Sequence, residues 1–240
     1  MQQYNSFNPG EFDSSYAAGG LSLNRYISRT FGWMFLGLLV TFALGWYMAA
    51  SGMVFQLFAI PYVTILLLVA EVAVVLVLSA RIHKQSVNTS RVLFLAYAIL
   101  NGLVFSAYFV IYDVAGVILV FGITALFFGG FALYGRFTQT DLSRLRPFLI
   151  GGLIFLLVGG LLLMLFDLSA LERLLCMAGI VIFLCFTAYD TQKIKKNYQY
   201  FSHDTALLER ASIYSALQLY LDFINLFLYL LRFMGSRSRN

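Results

Sequence analysis

The chain has 240 residues, 61% of them hydrophobic and only 11% charged, with 16 basic and 11 acidic side chains and a formal net charge of +5. Soluble domains carry about 25% charged residues, so a soluble enzyme, a disordered chain and a disulfide-stapled secreted domain are all excluded. In a bilayer protein a basic excess sets topology, and no nucleic-acid partner is expected.

Met1–Thr30 is polar, with Pro9, Gly10, Gly19 and Gly20, and reads as a cytoplasmic tail. Seven apolar runs long enough to cross a bilayer follow. They are Phe31–Ala50, Phe58–Ala80, Val92–Tyr112, Val114–Tyr134, Pro147–Phe166, Leu174–Asp190 and Ile213–Phe233. The first two are joined by a short apolar turn around Ser51–Gln56, and little more than Asp113 separates the third from the fourth. The period-two alternation of a membrane barrel is absent. An all-α integral membrane protein is therefore expected, a seven-transmembrane-helix bundle over residues 31–235 with a short tail at 236–240. Gly37 and Gly45, Gly122 and Gly129, and Gly152 and Gly160 recur seven or eight apart, which predicts close helix approach on those faces.

Twelve of the sixteen basic residues fall on one side of these spans, while Arg173, Arg232, Arg237 and Arg239 fall on the other. The rule that cationic loops stay inside puts the N-terminus in the cytoplasm and, after seven spans, the C-terminus outside. The basic run Arg232–Arg239 is the one feature against this. Cys176 and Cys185 are nine residues apart, about 13 Å along a helix, too far for a disulfide. His83 and His203 sit in polar loops. No cofactor, resident metal centre or nucleophile–base pair is expected, and so no enzyme.

An ionisable group at the centre of a span costs roughly 2.5–3.5 kcal/mol on insertion scales, so each needs a reason. Asp113 and Asp167 fall at loop edges and read as solvated. Glu71 lies ten residues before Arg81, about 15 Å deep. It is either a carboxyl kept neutral by burial or a cation or proton site. In the last span Ser215, Gln218, Asp222, Asn225 and Tyr229 follow at helical steps within an arc of about 80°. Such a stripe either glues two helices or lines a lumen. Asp190, three residues before Lys193, is either an interfacial acid reaching for water or the partner of Asp222 on the neighbouring antiparallel span. Two carboxyls that close and partly desolvated would share a proton.

The strings CFTAYDTQKIKK and LYLDFINLFLYLLRF resemble the signature of the Bax inhibitor-one family, also called the transmembrane BAX inhibitor motif family. RFTQTDLSRLRPFLIGGL and EVAVVLVLSARIHK resemble its bacterial members. The likeness runs from Leu21 to Gly235. It implies a seven-helix fold with the C-terminal helix central, in the bacterial inner membrane. It also implies a pH-sensitive calcium leak whose gating dyad is Asp190 and Asp222, with Arg81 as the latch that engages them and Glu71 facing the pore. On this reading Gln218, Asn225 and Tyr229 line the path, and Asp190, Asp222 and Glu71 offer Ca²⁺ a weak carboxylate route. Protons, Ca²⁺ and the lipid bilayer are then the partners. Two other readings remain open: a modulator of a membrane-anchored protease with no flux of its own, and a proton-coupled Ca²⁺ exchanger.

Overall fold

The structure is a computed structural model and describes residues 22–80, 84–166 and 169–235. Helix α1 spans Leu23–Ala50, followed by a short α2, Met53–Phe58, then α3, Val63–Ala80, and α4, Val87–Ile111. Next come α5, Val114–Phe137, a single 3₁₀ turn at Leu142–Leu145, and α6, Arg146–Leu165. The long helices α7, Ser169–Phe201, and α8, Thr205–Gly235, complete the order. Among the described residues no strand occurs, and seven of the helices are long and apolar enough to cross a membrane.

Local sequence explains the breaks. Gly52 takes the left-handed conformation (φ +74°) between α1 and α2. Pro61 interrupts the second apolar run near its start, and Tyr62 after it is held at φ +62°, an uncommon position for a bulky side chain. The run expected from Phe58 therefore splits, and its spanning helix starts at Val63. Ser86 caps α4 by accepting the Thr89 N–H at 3.0 Å, which satisfies one of the unpaired donors of a helix start.

Helix α8 is the axis of the bundle. It packs against α1, α4, α5 and α7. Of its most apolar window 67% is buried, against 44% in α7 and 17% in α3. The outer helices send Leu66, Val69, Leu157 and Leu161 outward, as a lipid solvent permits. Around the second half of α8 lies an aromatic cluster: the Phe42 ring sits 4.8 Å from Phe121, 5.2 Å from Phe105 and 5.3 Å from Phe227.

Three helices outrun their apolar segments. α1 begins at Leu23 rather than Phe31, because Arg29 donates to Glu209 of α8 at 2.7 Å and Thr30 meets Ser212 at 3.0 Å. Arg91 of α4 closes the same clamp, its Nη2 lying 3.1 Å from the other Glu209 oxygen. α7 runs eleven residues past Asp190, and α8 starts eight before Ile213. At 33 residues α7 is about 50 Å long, so this helical hairpin outreaches a hydrocarbon core of about 30 Å. Of the expected polar tail, Leu23–Thr30 is helical, and residues 1–21 and 236–240 lie outside the described residues.

The glycine spacings are partly fulfilled. A Cβ on Gly37 would sit 2.6 Å from the Phe94 ring, one on Gly45 3.2 Å from the Gly102 carbonyl, and one on Gly152 2.9 Å from Ile182. Gly122, Gly129 and Gly160 meet nothing within 4 Å and belong to outward faces. At Gly135 of α5 a Cβ would run into the Ala188 backbone of α7. Backbone cannot rotate away as a side chain can. Gly135→Ala is therefore expected to cost about 1–3 kcal/mol, read as a lower thermal midpoint of the detergent-solubilised protein, with Gly129→Ala near wild type.

A carboxylate pair in the seam of the central hairpin

α7 and α8 run antiparallel, and three contacts fix their register. Asn197 donates to the Ser215 hydroxyl at 3.1 Å, Lys193 donates to Gln218 Oε1 at 3.3 Å, and the Phe183 ring stacks on Tyr229 at 5.8 Å. The 14 residues back along α7 from Asn197 to Phe183 are matched by the 14 forward along α8 from Ser215 to Tyr229. That register sets Asp190 opposite Asp222, and the two carboxyls are within electrostatic reach of each other. Asp190 is 7% exposed and Asp222 4%. Asp190 Oδ1 and Asp222 Oδ2 are both buried without a hydrogen-bond partner, an expensive arrangement for a carboxyl. The reading of Asp190 as an interfacial acid does not survive this, because Thr191 and Ile194 beyond it are buried as well.

The polar stripe of α8 is thereby located. Ser215, Gln218 and Asp222 face α7, Asn225 turns back to the Leu221 carbonyl at 2.8 Å, and Tyr229 packs over Gly179. Coverage on this side is incomplete. Tyr214, Gln218, Leu221, Asn225 and Leu228 are all half-buried, and they recur at steps of four and three. They form one strip along the middle of α8, where every other residue from Ala211 to Leu231 except Tyr229 is buried, and Gln218 and Asn225 belong to it.

Glu71 lies apart from the aspartates. It is half-buried, its Oε1 has no hydrogen-bond partner, and it acts electrostatically on Tyr97 and Tyr220. Tyr220 also meets the Thr41 hydroxyl at 2.6 Å. Tyr220 and Asp222 are two residues apart, about 200° around the helix, so they leave α8 on nearly opposite sides. Glu71 and the Asp190–Asp222 pair therefore address different faces of α8. Among the described residues no three His, Cys, Asp or Glu side chains converge closely enough to hold a metal ion. Arg81, the expected latch, lies outside the described residues, directly after α3.

The family profile described as "Inhibitor of apoptosis-promoting Bax1" matches residues 23–239. The chain belongs to the Bax inhibitor family. It is 41% identical to the inner membrane protein YbhL of Escherichia coli K12 over 217 residues, 90% of this chain and 93% of that one. An uncharacterized protein of Borreliella burgdorferi is 37% identical over 219 residues, 90% and 94% of the two chains. YrjE of Lactococcus lactis is 30% identical over 221 residues, 91% and 93% of the two. The chain is thus an integral membrane protein of a family with a bacterial inner-membrane relative.

Two features of this family member escaped the sequence reading. Lys193 read as a flanking topology charge, yet its ammonium is 4.0 Å from Asp190 Oδ1. The only hint was its place one helical turn from Asp190. The second is a clasp between α7 and the loop before α6. Gln192 accepts from the Leu142 N–H at 2.9 Å and donates to the Thr140 carbonyl at 2.8 Å. Lys195 reaches the Arg136 carbonyl, and Lys196 pairs with Asp141 at 2.7 Å. The Lys196 ammonium and the Ser143 N–H hold the Asp141 carboxyl down at about 2. A carboxyl depressed on folding stabilises fully above its ordinary value near 3.8, and loses that contribution as pH falls through about 2. Asp141→Asn is therefore expected to lower the thermal midpoint by the same small amount at pH 5 and at pH 8. A loss that changes across that window would show that the clasp titrates there.

Proposed function

We propose that the protein is a pH-sensitive leak for Ca²⁺ or similar cations across the bacterial inner membrane, gated by Asp190 and Asp222. The observation that carries this is the pair itself: two buried, facing carboxyls on the central hairpin of a bundle whose outer surface is apolar. Carboxylates are the oxygen ligands that a hard cation prefers. Two of them side by side, desolvated, hold a proton between them more readily than two negative charges. Protonation then removes the charge that attracts a cation, which makes the path responsive to pH. Two carboxylates are far from the six to eight oxygens of a tight Ca²⁺ cage, and weak binding is what permits release on the far side.

The incompletely covered strip of α8 supports a route along Gln218 and Asn225, with Tyr229 at its far end. Glu71, beside Tyr97 and Tyr220, is a separate station on this proposal, on the other face of α8. Arg81, following α3, remains the candidate latch. The lysine- and arginine-rich end, where Lys193, Lys195 and Lys196 lie, faces the cytoplasm on this reading, with the N-terminus, and the C-terminus faces outward.

The test is Ca²⁺ entry into liposomes that hold the purified full chain and an indicator dye, measured from pH 5 to pH 8. Wild type should raise entry several-fold over empty vesicles with a clear pH midpoint. Asp190→Asn combined with Asp222→Asn should flatten that pH response. An unchanged response in the double variant would remove the aspartate pair from the mechanism.

A further inference from the structure

Lys193 projects from α7 into the space beside the carboxylate pair. Its ammonium lies 4.0 Å from Asp190 Oδ1, a charge contact too long for a hydrogen bond. It donates instead to Gln218 Oε1 at 3.3 Å. The rings of Tyr189 and Tyr214 flank it, their centroids 6.0 and 5.8 Å from the nitrogen, within cation–π range. Its charge also reaches Asp222. It also lines a pocket of about 210 Å³ together with Ser143, Tyr189, Gln192 and Lys196. This one side chain thus stands between the basic end of the protein and the aspartates.

We infer that Lys193 is the resident countercharge of the Asp190–Asp222 pair, a tethered cation occupying the position that a mobile cation from the basic end must take. Several features fit that role. Gln218 and the two tyrosines hold the ammonium without neutralising it. The contact to Asp190 is loose enough to break. The pocket gives the four-carbon side chain somewhere to swing. Lysine carries a compact point charge on a flexible stem, unlike the planar fork of arginine. Tyr189 and Tyr214 are the other titratable groups facing Asp190 among the described residues. Asp141, Arg146 and Lys196 lie further out beside Tyr189. The Lys196 charge is already matched by Asp141. α5 brings the Gly135 backbone against Ala188, and Ser79 of α3 lies beside Tyr214.

The inference rests on the leak reading only for its flux measurement, so the test has two arms. In liposomes, Lys193→Met should move the pH midpoint of Ca²⁺ entry upward by about 1 unit, because the charged pair has lost an opposite charge nearby. Lys193→Arg should restore most of that shift. In detergent at pH 8, Lys193→Met should lower the thermal midpoint in the wild-type background. It should have little effect alongside Asp190→Asn and Asp222→Asn, where no carboxylate needs neutralising. A midpoint of entry unmoved by Lys193→Met, or an equal thermal loss in both backgrounds, overturns the assignment and leaves the leak reading standing. If wild type shows no entry at all, the leak reading fails, and the thermal comparison alone decides the countercharge. Should Lys193→Met fail to assemble, rescue by the two asparagines supports the assignment and failure in both backgrounds refutes it.

Discussion

Two carboxyls facing each other inside a membrane protein are the constraint from which the rest of this architecture follows. Neither can turn to lipid, where a charge has no partner. The helix bearing Asp222 must be enclosed, and the helix bearing Asp190 must lie against it in one register. A slip of a single residue would rotate either carboxyl by about 100°. The register is therefore held at several levels, by Asn197 on Ser215, Lys193 on Gln218 and Phe183 on Tyr229. The outer helices are released from such demands, and α3 and α6 can be apolar nearly all round.

α8 divides its neighbours into two halves on either side of Asp222. Toward the basic end its contacts are polar: Glu209 with Arg29 and Arg91, Ser212 with Thr30, Ser215 with Asn197. Beyond Asp222 they are aromatic, with Phe223 against Phe121 and Phe128, and Phe227 against Phe42 and Phe105. Interlocked rings pack densely and offer an ion no ligand, so the face of Phe223 and Phe227 is closed, while Asn225 lies about 200° around the helix from both. The polar half ends in the Glu209 clamp, which ties α1, α4 and α8 together where the hairpin outreaches the hydrocarbon. The α7–α8 seam lies away from that clamp, and the strip Gln218–Asn225 beside it is the weakly covered part of the central helix.

The spans were legible because hydropathy over about 20 residues is a strong signal. Their ends were not, since Arg29, Arg91 and Glu209 look like ordinary solvated charges until the fold shows them bonded to one another. Asp222 was legible through its helical stripe, and the strings around both aspartates carried the family. Which face of α8 Glu71 addresses was not legible, because depth along a helix says nothing about azimuth. The side of α8 it addresses depends on how α3 leans on α4, which no periodicity within α3 encodes. Glycine spacing had the same weakness. Gly37 and Gly45 sit against neighbours while Gly122 and Gly129 face outward, and the sequence pattern is alike for both.

Lys193 shows why a charge near a helix end resists interpretation from sequence. Three lysines within four residues satisfy the topology rule equally well, yet the structure gives each a different task. Lys195 and Lys196 turn to the Arg136 carbonyl and to Asp141 and secure the loop before α6. They lie two and three residues from Lys193, about 200° and 300° around α7, so securing the loop leaves the seam to Lys193. Its ammonium meets there an acidic pair that no hydrogen bond to either buried oxygen satisfies. A tight ion pair would have locked the seam, and a missing cation would have left both carboxyls uncompensated. A lysine held at 4.0 Å by a glutamine and two rings lies between these limits. On the leak proposed above, that intermediate grip is what leaves the pair open to a proton or to a second cation.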